Sequence, residues 1–503
     1  MERQALTSSD SALEPAVLDR LALELHELRQ DLLDGETKLG DMLDAVHPDN
    51  LPSARNLVHY LVLRRDDMRA LQLRLARVGL SSLGRSESHV LITVERILTM
   101  LALARGTAQP DFGPPAVGFR QGERILAGNA RRLLGRRPRH RSVRIVVTLS
   151  GDVAEDPRVA SDLVAAGMDC ARINCARDDA DVWAGMAKNV RAAQREHGRD
   201  CRLLVDLAGP KLRTGAIAGG AKRLLLSVGD RFELVSADGS LPVRRGSLPC
   251  IAVGAPQILE AEPGQPIWFD DGTIGGVIEK CVGECLLIRV TTAKPEGSKL
   301  RPERGINLPE TTLSMPALTT KDLHDLADVV EWADAIELSF VQRPEDVLAL
   351  RDALHQHDAD GMGIILKIET RRAFAELPRL LLAAMQQRSC GVMIARGDLA
   401  VEAGFERMAE IQEEILWIAE AAHVPTIWAT HVLDNLAKKG TLARAEMTDA
   451  AMSARAEAVM LNKGPFVIDA IDTLDDILGR MKGHHSKKRS LFRALQISRN
   501  LWH

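Results

Sequence analysis

The chain is 503 residues long, 46% apolar and only 3% aromatic, and its 65 Lys and Arg nearly offset 69 Asp and Glu to leave a net charge of −4. Such a length calls for two to four domains with cores built mainly from Leu, Val, Ile and Ala, and the balanced charge excludes a global field for nucleic acid or a membrane surface. No stretch approaches the roughly 18 uninterrupted apolar residues of a spanning helix, no apolar run follows the start Met1-Glu2-Arg3-Gln4, and the seven scattered cysteines, Cys281 and Cys285 included, read as free thiols of a reducing cytoplasm.

From about residue 13 to 106 the pattern is helical. Leu18, Leu21, Leu25, Leu28 and Leu32 recur every three or four residues, which lines one face of a helix with apolar side chains. Asn56–Leu80 and Ser88–Leu103 repeat the habit, so a hairpin or small bundle is expected, with an interaction role or plain packing against its neighbour. Residues 107–140 read as a linker, opened by Asp111-Phe112-Gly113-Pro114-Pro115 and closed by an arginine-rich run from Arg131 to Arg141. A run like that either meets phosphate or is simply solvated, and the solvated reading is the commoner one.

From Val143 strands and helices alternate: Val143–Leu149, Asp156–Ala166, Asp169–Asn174, Asp179–His197, Arg202–Asp206. After Gly215 short alternating β segments replace the helices for about ninety residues, which predicts a small β-barrel inserted in the larger fold. Strands then resume at Ala335–Ser339, Gly363–Glu369, Gly391–Ala395, Pro425–Thr430 and Ala458–Leu461, with helices between them. Three strands before the insertion and five after it make a (β/α)8 barrel, an α/β fold whose catalytic groups gather at the C-terminal ends of its strands. The expected division is a helical domain over 1–106, a linker over 107–140, a TIM barrel over 141–215 and 304–482, an inserted β-barrel lid over 216–303 and a basic tail over 483–503.

The strand ends carry charge. Lys367 and Glu369 stand two residues apart and so share a face of their strand. Arg396 and Asp398 follow the next strand. Elsewhere around the mouth come Arg172 and Asn174, Asp206 with Lys211 and Arg213, Ser339, Thr430, and Asn462 with Lys463. Surface salt bridges at strand ends would account for any one pair. Cations and two acids converging on one mouth suit phosphoryl chemistry, in which spread phosphate charge is neutralised and a metal bridges oxygens.

Over roughly residues 140 to 482 the sequence resembles the pyruvate kinase family. The stretches that carry the resemblance are Ala171-Arg172-Ile173-Asn174, Asp206-Leu207-Ala208-Gly209-Pro210-Lys211-Leu212-Arg213-Thr214-Gly215, Phe269-Asp270-Asp271-Gly272, Arg304-Gly305-Ile306-Asn307-Leu308-Pro309, Leu338-Ser339-Phe340-Val341, Lys367-Ile368-Glu369, Ile394-Ala395-Arg396-Gly397-Asp398-Leu399, Ala429-Thr430 and Arg444-Ala445-Glu446-Met447-Thr448-Asp449. The resemblance implies transfer of a phosphoryl group from phosphoenolpyruvate to ADP, with Mg2+ or Mn2+ held by Glu369 and Asp398. Lys367 would stabilise the charge on the moving phosphoryl group and the enolate. Arg172 and Arg213 would contact phosphate, and Thr430 would flank the enolate face that receives the proton. Asn174, Arg177, Ser339, Arg396 and Gly397 would line the substrate and nucleotide sites, and the inserted domain would close over the nucleotide.

The chain also departs from the family pattern. Cys175-Ala176-Arg177-Asp178 stands where Phe-Ser-His-Gly is usual, so the serine that ligates potassium is replaced by Ala176. Lys211 stands where potassium-independent members carry lysine, so with Asn174 and Asp206 in the monovalent-cation region its ammonium would replace the ion, and potassium is not expected to be required. Ser150-Gly151-Asp152 and Asn462-Lys463-Gly464 are further changes. The family's C-terminal regulatory domain is expected to have no counterpart, and the N-terminal helices are expected to take over its oligomerisation or regulatory role in a homo-oligomer of unknown order. The alternatives are a metal-dependent lyase or aldolase acting on pyruvate or an oxo acid, and a non-catalytic metabolite-sensing scaffold.

Overall fold

A computed structural model describes residues 14–237, 241, 248–487 and 489–490; the first residues of the chain and most of the expected basic tail lie outside them. Eight parallel strands close into a barrel: β1 Arg144–Thr148, β2 Cys170–Asn174, β3 Arg202–Asp206, β4 Ala335–Leu338, β5 Gly363–Ile368, β6 Cys390–Ala395, β7 Thr426–Ala429 and β8 Ala458–Leu461. Each pairs with its sequence neighbours and β1 pairs with β8. The expected α/β barrel is therefore the observed one.

Strand alternation divides the barrel interior into layers. Val146, Cys170, Leu204, Ala335 and Ile365 are buried in an apolar layer shared with Met393, Ile427 and Ala458. Two residues further along the same five strands stand Thr148, Arg172, Asp206, Glu337 and Lys367, all buried. The barrel thus carries an ionic layer directly above an apolar one.

The stretch expected as a linker contains a helix, although Arg131, Arg132, Arg136, Arg137 and Arg139 are exposed as a solvated run would be. Residues Gln121–Leu134 form a helix, here α5, with Leu126, Ala130, Leu133 and Leu134 on its buried face. Leu133 and Leu134 belong to the barrel's apolar layer and close its floor. The strands admit them only because two positions lack a side chain: a Cβ on Gly363 or Gly391 would stand 2.6 or 2.4 Å from a Leu133 methyl carbon. A narrow apolar stripe among arginines concealed this helix from the composition. The end of the arginine run is not solvated. Arg141 is fully buried, donating to Asp169 and Asp475 at 2.6 Å each and to the Gly167 carbonyl at 2.8 Å.

The N-terminal region is helical as expected, with α1 Pro15–Lys38, α2 Leu51–Leu63, α3 Arg69–Arg77 and α4 Val90–Ala104. It is pinned to the barrel's outer helices by buried polar groups as well as apolar contact. Asn50 Nδ2 donates to the carbonyls of Met385 and Gln387, and Asn56 Nδ2 to that of Ala421. His423 is fully buried between Ser53 Oγ and the Ser88 carbonyl, 2.9 Å from each.

The insertion builds a six-stranded sheet in the order Ile306–Asn307, Pro266–Phe269, Ile274–Val282, Cys285–Thr292, Arg231–Ser236, Cys250–Val253, with a ribbon of Leu224–Leu226 and Ser298–Leu300 beside it. The two sheets share one core that includes Phe232, Phe269, Ile288 and Leu300. Among the described residues no ladder closes them into a barrel, since alternation of side chains signals strands but not closure.

Candidate active site

The ionic layer at the barrel mouth is organised by Asp206. Its Oδ1 accepts from Lys367 Nζ at 2.8 Å, and its Oδ2 accepts from Arg172. Lys367 also donates to Ser339 Oγ at 2.7 Å and lies 3.3 Å from Glu369. Ser339 in turn donates to the Leu207 carbonyl at 2.7 Å. The loop after β3 can cross this close to Ser339 only as glycine, because Gly209 has φ +66° and an added Cβ would stand 2.7 Å from Ser339 Cβ.

Burial opposes charge on Lys367, but Asp206 and Glu369 outweigh it and hold the ammonium's pKa above its ordinary value. Burial likewise works against the Asp206 carboxylate, yet Arg172 and Lys367 overcome it and its pKa is lowered. Both stay charged at neutral pH. Glu369 goes the other way: burial and the charge of Asp398 raise its pKa, and Lys367 only partly offsets them. The Phe340 peptide, held at φ +53°, aims its N–H at Glu369 Oε2 from 2.7 Å.

Two carboxylates, one of them raised by burial and by the charge of the other, are a fit for a hard divalent cation, and magnesium is commonly held by one or two carboxylates with water and phosphate oxygens completing the shell. Among the described residues no group of three or more His, Cys, Asp or Glu gathers as a metal site, so substrate and water would supply the remaining ligands. Asp398 is engaged meanwhile by Lys211, whose Nζ stands 2.7 and 2.9 Å from its two oxygens and 5.8 Å above the Phe340 ring. Lys211 thus meets the Glu369–Asp398 side of the mouth. Asn174 pairs in register with Asp206 and uses its side-chain oxygen to accept from the Ala176 N–H, shaping its own loop.

Other expected residues are placed differently. Arg396 spends most of its donors inside the protein. Its guanidinium bonds the carbonyls of Ala429 and Thr430 and the carboxylate of Asp449, and stacks 4.8 Å from the Trp428 ring. It staples the β6 and β7 ends together. Gly397 N–H donates to Thr430 Oγ1 at 2.8 Å. Thr430 and His431 sit at φ +64° and +57°, an uncommon conformation for a β-branched residue that here has the support of those two contacts. Arg213 is half-buried and donates to the Glu303 carbonyl at 3.3 Å, and Arg177 is exposed.

Three residues escaped the sequence reading. Glu337, on β4, is fully buried and accepts from Arg172 Nε at 2.8 Å. Thr148 accepts from Arg172 Nη1 at 3.0 Å. Glu402 accepts from Asn307, which also donates to Asp398, so the root of the inserted sheet is tied to the mouth. Strand alternation was the available signal for the first two: each lies two residues beyond an interior apolar residue.

Comparison with known proteins agrees with this geometry. Residues 140–465 match the family described as pyruvate kinase, barrel domain. The chain is 34% identical over 348 residues to pyruvate kinase of Methylorubrum extorquens, covering 67% of this chain and 68% of that protein. It is 30% identical over 370 residues to pyruvate kinase of Bacillus licheniformis, covering 72% and 61%. To pyruvate kinase PKLR of Homo sapiens it is 30% identical over 377 residues, covering 72% and 64%. The matched region spans little more than three-fifths of the last two relatives.

Proposed function

Because the chain belongs to the pyruvate kinase family, we propose that it transfers the phosphoryl group of phosphoenolpyruvate to ADP, with a divalent metal and without a requirement for potassium. The observation that carries this reading is the pair of buried cations, Arg172 and Lys367, held on the two oxygens of one carboxylate, Asp206. Fixed positive charge in a water-poor site is what a phosphate ester and a developing enolate require, and it needs no reorganisation when the charge moves.

In this reading Arg172 and Arg213 orient the phosphate. Lys367, charged and held by Asp206 and Ser339, stabilises the enolate oxygen as the phosphoryl group leaves. Glu369 and Asp398 would hold Mg2+ or Mn2+, which supplies Lewis-acid neutralisation of phosphate and enolate oxygens. Thr430, fixed by the Gly397 N–H, flanks the position where the enolate carbon takes its proton. Lys211 places a permanent ammonium beside Asp398, which supports independence from a monovalent ion. The inserted sheet, rooted through Asn307, serves as the lid that excludes water.

Phosphorus NMR of a mixture of the protein, phosphoenolpyruvate, ADP and MgCl2 tests this directly. Loss of the enol-phosphate resonance with growth of the ATP signals is expected. No transfer to any nucleoside diphosphate, with or without KCl, would remove the proposal.

A further inference from the structure

Glu337 is a costly residue to place where it stands. It points into the barrel from β4, beside Asp206 in register, and is fully buried. One carboxylate oxygen accepts from Arg172 Nε at 2.8 Å; among the described residues the other has no hydrogen-bond partner. An enclosed carboxylate oxygen left unpaired is unfavourable, and an apolar side chain would fill the same space without that penalty. Burial and the adjacent Asp206 push the Glu337 pKa up, and the Arg172 charge opposes them.

Its partner explains the placement. Arg172 offers five N–H donors in a rigid planar fork. Glu337 takes the one on Nε, Thr148 takes one on Nη1 and Asp206 takes one on Nη2. Three anchors around a plane fix its orientation and leave one N–H on each terminal nitrogen. Asp206 is also the carboxylate that holds Lys367. Without Glu337, Asp206 would be the one carboxylate paired with Arg172 among the described residues while still holding Lys367.

We propose that Glu337 is a positioning residue for the reaction assigned above: it clamps Arg172 so that its two remaining N–H groups face the substrate's phosphate, and it leaves Asp206 to hold Lys367. The inference rests on the phosphoryl-transfer reading for its ligand, and on geometry alone for the clamp.

The test compares wild type, Glu337→Ala and Glu337→Gln, since the amide oxygen of Gln still accepts from Arg172 Nε. In Ala the KM for phosphoenolpyruvate should rise by about tenfold or more, the KM for ADP should stay within about twofold, and Gln should recover most of the loss. A merely structural residue would lower melting temperature without splitting the two KM values. Crystal structures of the three proteins read the clamp separately: Arg172 should keep its orientation in Gln and leave it in Ala. Unchanged Arg172 orientation in Ala overturns the clamp. An unchanged KM for phosphoenolpyruvate in Ala overturns its role in binding. Wild type that neither binds phosphoenolpyruvate by calorimetry nor turns it over removes the phosphoryl-transfer reading, and the ligand half of this inference with it, while the crystallographic comparison still decides the clamp.

Discussion

Lys367 Nζ and Asp206 Oδ1 stand 2.8 Å apart inside the barrel, and the other oxygen of that carboxylate holds Arg172. One acid therefore bridges two buried cations at the mouth, with Glu337 as a second carboxylate on Arg172 and Glu369 as a second beside Lys367. Replacing it by Asp206→Asn keeps the shape and removes the charge. Turnover should fall by about 100-fold or more, the scale seen when one preorganised electrostatic group is lost. Stability should fall by about 3 kcal/mol, because two buried cations lose the carboxylate they share and keep one each, Glu337 and Glu369. Steady-state kinetics and denaturant melts read the two effects, and a variant with full activity would show that Asp206 does not organise the site.

Lys211 lies against both oxygens of Asp398. Exchanging it for glutamate sets a third carboxylate beside Asp398 and Asp271 and removes the local cation. In Lys211→Glu, turnover without potassium should drop by about tenfold or more and be partly restored by about 0.1 M KCl. Equal activity of both proteins in sodium and potassium buffers would contradict the role given to Lys211.

His423 supplies a pH dependence. Burial lowers its pKa from 6.5 to about 4, with the Ser88 carbonyl only partly offsetting it. The folded chain therefore holds the neutral ring while the unfolded chain protonates below pH 6.5. Its contribution is fully present above that value and is lost as pH falls toward about 4. The shift corresponds to up to about 3 kcal/mol. Melts at several pH values should show wild type losing stability faster than His423→Gln over this window, with amide exchange rising in α2 and α4, whose ends the ring joins. Parallel curves for the two proteins would rule this out.

The helix that closes the barrel floor is testable by a cycle. Leu133→Ala should cost about 2–4 kcal/mol through the cavity it leaves. Gly391→Ala should cost about 1–3 kcal/mol because its new Cβ meets the Leu133 methyl group. Combining them should cost less than the sum, since alanine at 133 removes the atoms in collision. Additive costs in denaturant melts would mean that the two residues do not touch.

Much of this architecture was legible in the sequence, and the limits have physical causes. Apolar strands ending in charge located β5 and β6, and the i, i+2 rule placed Lys367 and Glu369 on one face. The floor helix was not legible because only four of its apolar residues, Leu126, Ala130, Leu133 and Leu134, are buried, and Arg124, Arg131 and Arg132 stand among them. Glu337 was passed over because a single acid inside an apolar strand has no motif, and its significance depends on Arg172 arriving from another strand. The partners of Arg396 were hidden for the converse reason: it stands next to Asp398 in sequence, but its guanidinium turns toward Asp449 and Trp428. Periodicity reports which face a side chain occupies; it does not report which distant partner claims it.

The central claim is tested most directly by a coupled assay for pyruvate from phosphoenolpyruvate, ADP and magnesium in potassium-free buffer, with wild type beside Lys367→Met. The expected result is turnover by the wild type that is lost in the variant, while calorimetry still finds phosphoenolpyruvate bound to both. Absence of turnover by the wild type with every nucleoside diphosphate, potassium present or not, would contradict the account, as would undiminished turnover in Lys367→Met.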